Sequence, residues 1–137
     1  MSELVNYNCA CLVNIEEKSI FLVRSYDNNK YYLPGGKIED NESFDDTLIR
    51  ELKEELSLSV EKSEITFWKS IEGPAYPNTK ETVLLNCFLY SGENFDYKIN
   101  NEINEITDAK FFSTNNKDIM APAVLKVISA LEQDGYV

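Results

Sequence analysis

The sequence predicts an α+β fold in which a mixed β-sheet lies between helices, in one domain spanning residues 1–137. Three observations point there. A length of 137 residues fits a single domain. Hydrophobic residues make up 43% and charged residues 27%, a globular balance with enough apolar material for one core without disulfide staples. Several short apolar or alternating runs are interspersed with two segments of helical periodicity, which suggests a sheet covered on both sides.

The elements follow in chain order. Residues 5–15 alternate, with Val5, Tyr7, Cys9, Cys11, Val13 and Ile15 on one face and Asn6, Asn8 and Asn14 on the other, the pattern of a half-buried strand. Glu16, Glu17 and Lys18 make a turn, and residues 19–24 (SIFLVR) a more buried strand. Turn chemistry at residues 27–30 precedes a short strand at 31–33, stopped by Pro34, Gly35 and Gly36. Ser43 can cap a helix that runs to Glu55 or Leu56, with Phe44, Leu48, Leu52 and Leu56 as its apolar stripe. Residues 65–71 and 82–90 read as strands. The two prolines between them make 72–80 a loop. Residues 109–112 form an aromatic strand. Pro122 suits the first turn of a last helix over 121–133, whose Val124, Val127, Ile128 and Leu131 share a face.

Composition excludes several functions. With no histidine, Ser-His-Asp and Cys-His catalysis and imidazole metal sites are absent. A net charge of −11 argues against extended nucleic acid as a partner, which calls for a basic surface. Three cysteines without a CxxC spacing indicate neither a disulfide scaffold nor a zinc site, and Cys9, Cys11 and Cys87 are expected as small core residues in a reducing compartment. The N-terminal residues lack the pattern of a signal peptide, and no apolar run approaches the roughly 20 residues of a membrane helix. A soluble, cytoplasmic protein without membrane contact is expected.

Chemistry concentrates in residues 35–58. At about 100° per residue, Glu51, Glu54 and Glu55 fall within an arc of about 100° beside the apolar stripe. Like charges at these spacings repel one another, and the C-terminal half of a helix disfavours anions. A hard cation resolves that conflict, and an oxygen-only donor set suits Mg²⁺ or Mn²⁺ and gives little support to zinc. A solvated acidic face, softened by Lys53 and Arg50, is the other reading of the three glutamates alone.

The wider spacing decides between them. Gly36, Glu42, Arg50, Glu51, Leu52, Glu54, Glu55 and Leu58 occupy eight of the nine defined positions of G-x5-E-x7-R-E-U-x-E-E-x-G-U, where U is aliphatic. This resembles the box of the Nudix (MutT-like) hydrolases, and Pro34-Gly35-Gly36 and the strand order around it are similar to the family. The exception is Ser57 in place of the box glycine, where a positive φ would cost a serine about 1 kcal/mol.

The resemblance implies an α/β/α sandwich and a divalent-metal hydrolase, with Mg²⁺ or Mn²⁺ as cofactor. Its reaction is attack of water at phosphorus in a small nucleotide that carries a diphosphate bond. It implies Glu51, Glu54 and Glu55, with the carbonyl of Gly35, as metal ligands. Arg50 would hold a metal-binding glutamate, while Gly36 and Glu42 support the site. Glu105, before the last strand, would add a ligand or general base; Glu102 competes for that place, and an exposed loop glutamate is the plain alternative. The general base lies among Glu51, Glu54 and Glu105. Arg24 and Lys37 are the basic candidates for substrate phosphates. Tyr32, Tyr76, Phe111 and Trp68 could stack on a base, although packing explains each equally well.

Substrate markers conflict. Pro74 and Tyr76 match positions that distinguish ADP-ribose-cleaving from dinucleoside-polyphosphate-cleaving relatives, and both occur here. Residues 119–122 offer no asparagine of the kind found in relatives that act on oxidised guanine nucleotides. A nucleoside triphosphate or a nucleoside diphosphate derivative is expected, with a homodimer left open.

Overall fold

The computed structural model describes residues 5–25, 28–99 and 106–137. Among the described residues, seven strands, β1 (Tyr7–Val13), β2 (Ile15–Glu16), β3 (Ser19–Ser25), β4 (Gly35–Lys37), β5 (Ile65–Ala75), β6 (Asn78–Tyr90) and β7 (Ile106–Ser113), accompany two α-helices, α1 (Phe44–Leu56) and α2 (Pro122–Gln133). The strands form a four-stranded sheet in the order β4-β1-β6-β5 and a three-stranded sheet in the order β2-β3-β7. The first sheet is mixed: β1 runs parallel to β6 and antiparallel to β4. The α+β expectation holds, with the strands divided between two sheets.

Alternation along β1 and β3 sends side chains to two cores. Ala10, Leu12, Phe21 and Val23 pack with Leu48, Leu52 and Leu56 of α1. Cys11, Val13, Ile20 and Leu22 pack with Val124, Val127, Ile128 and Leu131 of α2. Strand β1 is therefore buried on both faces from Ala10 onward, where the sequence pattern predicts one polar face. Each fully buried leucine of α1 contributes about 1.5–3 kcal/mol by leaving water.

Helix α1 starts where expected. Ser43 is extended, and its hydroxyl accepts from the Asp46 N–H. Its stripe differs at one place: Phe44 is 39% exposed, and Thr47 is buried in the first turn instead. The helix ends at Ser57, whose φ of 51° and ψ of 30° are left-handed. That turn brings the Leu58 N–H back to the Leu52 carbonyl at 3.2 Å.

Two segments expected as loops are strands. Residues 72–80 form the tip of the β5–β6 hairpin, with the turn at Tyr76 and Pro77 joined by a cis peptide bond. Pro74 sits in β5, which among the described residues pairs only with β6 and so leaves one edge where a missing N–H is tolerated. The glycine turn is strand β4: Gly35, Gly36 and Lys37 pair with Cys11, Ala10 and Cys9. Conversely, residues 31–33 make only isolated bridges, Tyr31 to Met120 and Tyr32 to Val23. No helix among the described residues is long and apolar enough to cross a membrane.

Candidate functional site

The site begins at β4, the edge strand between helix α1 and an open cleft. Gly35 has a φ of 147°, and a Cβ there would stand 2.0 Å from the Ala10 carbonyl oxygen, so only glycine permits this approach to β1. At Gly36, a Cβ would lie 2.3 Å from Cδ of Glu51. The absence of a side chain lets that carboxylate rest against the strand. Burial raises the Glu51 pKa, with the Arg50 charge opposing.

Arg50 organises the acidic groups. Its Nε donates to Glu42 Oε2 at 2.7 Å and its Nη2 to Glu42 Oε1 at 3.0 Å. Its Nη1 donates to Glu51 Oε2 at 3.1 Å and to Glu54 Oε1 at 2.8 Å. Glu42 also accepts from the Thr47 hydroxyl at 2.8 Å and from the Glu39 N–H at 3.2 Å. These donors, the arginine foremost, hold the Glu42 carboxyl at a pKa of about 2. The carboxylates in turn raise the pKa of Arg50.

The structure thus joins Gly36, Glu42, Arg50, Glu51 and Glu54 directly. The backbone presents Glu51, Glu54 and Glu55 along one helical arc, but among the described residues no three acidic or cysteine side chains form a ready-made cluster. Like charges keep apart, and Arg50 takes one oxygen each from Glu51 and Glu54. The donor chemistry nevertheless fits a hard divalent cation, since all the candidate ligands are oxygens and burial pushes the nearby Cys9 thiol up to about 11. Glu105 and its competitor Glu102 lie outside the described residues.

Across β4 is a cleft of about 540 Å³, bordered by Gly35, Gly36, Lys37 and Glu55 on one side. The hairpin tip with Pro74 and Tyr76 and the start of α2 with Ala121 and Val124 close the other. Tyr32 and Tyr76 line it, as a stacking role requires. Phe111 instead packs on Phe21 in the α1 core, and Trp68 packs on Tyr136 and donates to Asp134. Cys11 and Cys87 are buried as expected, whereas Cys9 is only partly buried; Cys9 and Cys11 both line the cleft.

The two basic candidates separate. Lys37 lines the cleft, with its Nζ 4.5 Å from the centroid of the Tyr7 ring. Arg24 is not among the lining residues. It follows Leu22 on the α2 side of β3, and its guanidinium lies over Tyr31, 5.3 Å from the ring centroid. Sequence reasoning also missed Tyr7 and Glu81, whose side chains meet at the cleft wall. The Tyr7 hydroxyl donates to Glu81 Oε1 at 2.7 Å. Only the parallel pairing of β1 with β6 brings the two together, a long-range feature with no local signal.

Comparison with known proteins gives concordant results. A family model described as NUDIX domain matches residues 6–128. A search of curated proteins finds no match. Among solved structures, a MutT NUDIX hydrolase from Burkholderia pseudomallei is 21% identical, with a TM-score of 0.67 over 93% of this chain and 96% of that one. A NUDIX hydrolase from Nitrosomonas europaea is 19% identical, with a TM-score of 0.70 over 95% and 90%. A bifunctional NMN adenylyltransferase/ADP ribose pyrophosphatase from Francisella tularensis, solved with AMP and a manganese ion, is 18% identical. Its TM-score is 0.67, over 94% of this chain and 42% of that one.

Proposed function

The chain belongs to the NUDIX domain family, and from that premise we propose that it is a divalent-metal-dependent hydrolase of the diphosphate bond in a small nucleotide, a nucleoside triphosphate or a nucleoside diphosphate derivative. One observation carries this reading. Gly35, Gly36 and Glu55 of the acidic arc border the same cleft, and the missing side chain at Gly36 leaves room for the Glu51 carboxylate against the strand, so a diphosphate in the cleft lies beside the carboxylates.

Glu51, Glu54 and Glu55, with the Gly35 carbonyl, would hold the metal, with Mg²⁺ the physiological choice and Mn²⁺ an effective replacement. When bound, the cation neutralises charge on the phosphoryl oxygens and lowers the pKa of its water. Arg50 fixes Glu51 and Glu54 through a guanidinium that is itself fixed by Glu42. Lys37 meets substrate phosphate at the cleft rim. The carboxylate that takes the proton from the attacking water is one of Glu51, Glu54 and Glu105, and single glutamine variants separate them.

The test is a panel of nucleoside triphosphates and nucleoside diphosphate derivatives with Mg²⁺ or Mn²⁺ and product identification. Metal-dependent release of a nucleoside monophosphate supports the reading. Nucleotide binding that raises the melting temperature without turnover replaces it with a binding module.

A further inference from the structure

Lys37 is the only lysine or arginine among the described residues that line the cleft. The same wall contains Glu55 and Glu81, and the chain carries a net charge of −11. A polyphosphate entering here meets mostly negative potential, so the placement of this one ammonium carries unusual weight. Lys37 is exposed, and a free lysine loses rotamer freedom when it engages a ligand.

Register explains how that freedom is restricted. Cys9 pairs with Lys37 across β1–β4, and Tyr7 lies two residues before Cys9, so Tyr7, Cys9 and Lys37 share the cleft face. The Lys37 ammonium sits above the Tyr7 ring, 4.5 Å from its centroid. The ring is held in turn by its hydroxyl, which donates to Glu81 Oε1 at 2.7 Å. That bond is also the main reason the Tyr7 pKa is raised.

We propose that Tyr7, anchored by Glu81, is a positioning residue that holds Lys37 in the cleft for the substrate's phosphates. The inference rests on the hydrolase reading above and assigns two residues to its phosphate subsite. Tyr7 touches no phosphate; it acts by keeping the ammonium over its ring and off solvent-directed rotamers.

The experiment is a double-mutant cycle read by calorimetric binding of Mg²⁺–pyrophosphate to the full chain. The variants are Lys37→Ala, Tyr7→Leu and the pair, with Tyr7→Phe as the ring-retaining control. A cation–π contact at an exposed site corresponds to about a two- to five-fold change in affinity. Tyr7→Leu should weaken binding by that factor when Lys37 is present and not at all in the Lys37→Ala background. Tyr7→Phe keeps the ring but loses the bond to Glu81, so its affinity should fall between wild type and Tyr7→Leu, and only when Lys37 is present. With a nucleotide the protein turns over, Tyr7→Leu should raise KM and leave kcat near wild type. If Tyr7→Leu does not fold, Tyr7→Met reads the same cycle. Equal weakening in both backgrounds, tighter binding by Tyr7→Leu, or no pyrophosphate binding by wild type overturns the proposal. Turnover with an additive cycle defeats the positioning role alone. A coupled cycle without turnover of any nucleotide sustains it and defeats the hydrolase reading.

Discussion

Arg50 grips Glu42 edge-on, both guanidinium-to-carboxylate bonds at 3.0 Å or less, although Glu42 lies eight residues upstream and outside the helix. The pair ties the loop after β4 to the acidic face of α1. It leaves the Nη1 of Arg50 facing Glu51 and Glu54, so the loop glutamate sets the orientation of the helical ones.

Arg50→Lys should therefore impair turnover more than folding. Lysine keeps the charge but cannot form the fork. Activity is expected to fall about 10- to 100-fold, with a stability loss of about 1–2 kcal/mol. Steady-state kinetics and urea denaturation read the two effects, and unchanged kcat contradicts the role given to Arg50.

Glu42 predicts a pH dependence. Its folded pKa of about 2 lies below the usual 4.5, so its contribution to stability is complete above the higher value and lost as pH falls through the lower. The melting-temperature gap between wild type and Glu42→Gln should be widest near neutrality and close between about pH 4.5 and pH 2. Parallel curves from pH 7 to pH 2 contradict the ion pair.

Ser57 is strained at a φ of 51°. Ser57→Gly relieves a left-handed conformation that costs about 1 kcal/mol, less the added freedom of an unfolded glycine. A net gain of up to about 0.6 kcal/mol is expected in urea denaturation, with activity retained. A loss of stability shows that the serine side chain has a role of its own.

The adjacent glycines should behave differently. Gly35→Ala meets the Ala10 backbone and a φ of 147°, and should destabilise the fold by about 2 kcal/mol or more. Gly36→Ala brings its Cβ against three nearest atoms that all belong to the Glu51 side chain, which can move, and none to the backbone. It should fold nearly as well as wild type and lose about 100-fold in turnover, because it displaces that carboxylate. Thermal melts beside kinetics separate the two; an active Gly36→Ala contradicts the placement of Glu51.

How much was legible in the sequence follows from the range of each interaction. Helix α1 was legible from Ser43 to Leu56 because capping and a repeat of four are local. So was the left-handed turn at Ser57, from a glycine missing at one box position. Strand β4 was not, because Gly35 and Gly36 look like a bend until the Ala10 carbonyl comes within 2.0 Å of a would-be Cβ. The hairpin tip was hidden because Pro74 argues against a strand unless the strand is known to lie at an edge. Tyr7, Glu81 and Lys37 meet through two strand pairings, one parallel, that residue spacing does not encode. Arg24 looked equivalent to Lys37 in sequence, and its place over Tyr31 depends on which face of β3 it takes.

The most direct test of the metal site is Mg²⁺-dependent nucleotide hydrolysis by wild type and Glu54→Gln, with melting temperatures measured alongside. Glu54 is half-exposed, so the substitution should leave the fold intact. The account predicts turnover abolished by EDTA in wild type and reduced at least about 100-fold in Glu54→Gln at an unchanged melting temperature. Wild-type turnover by Glu54→Gln contradicts it.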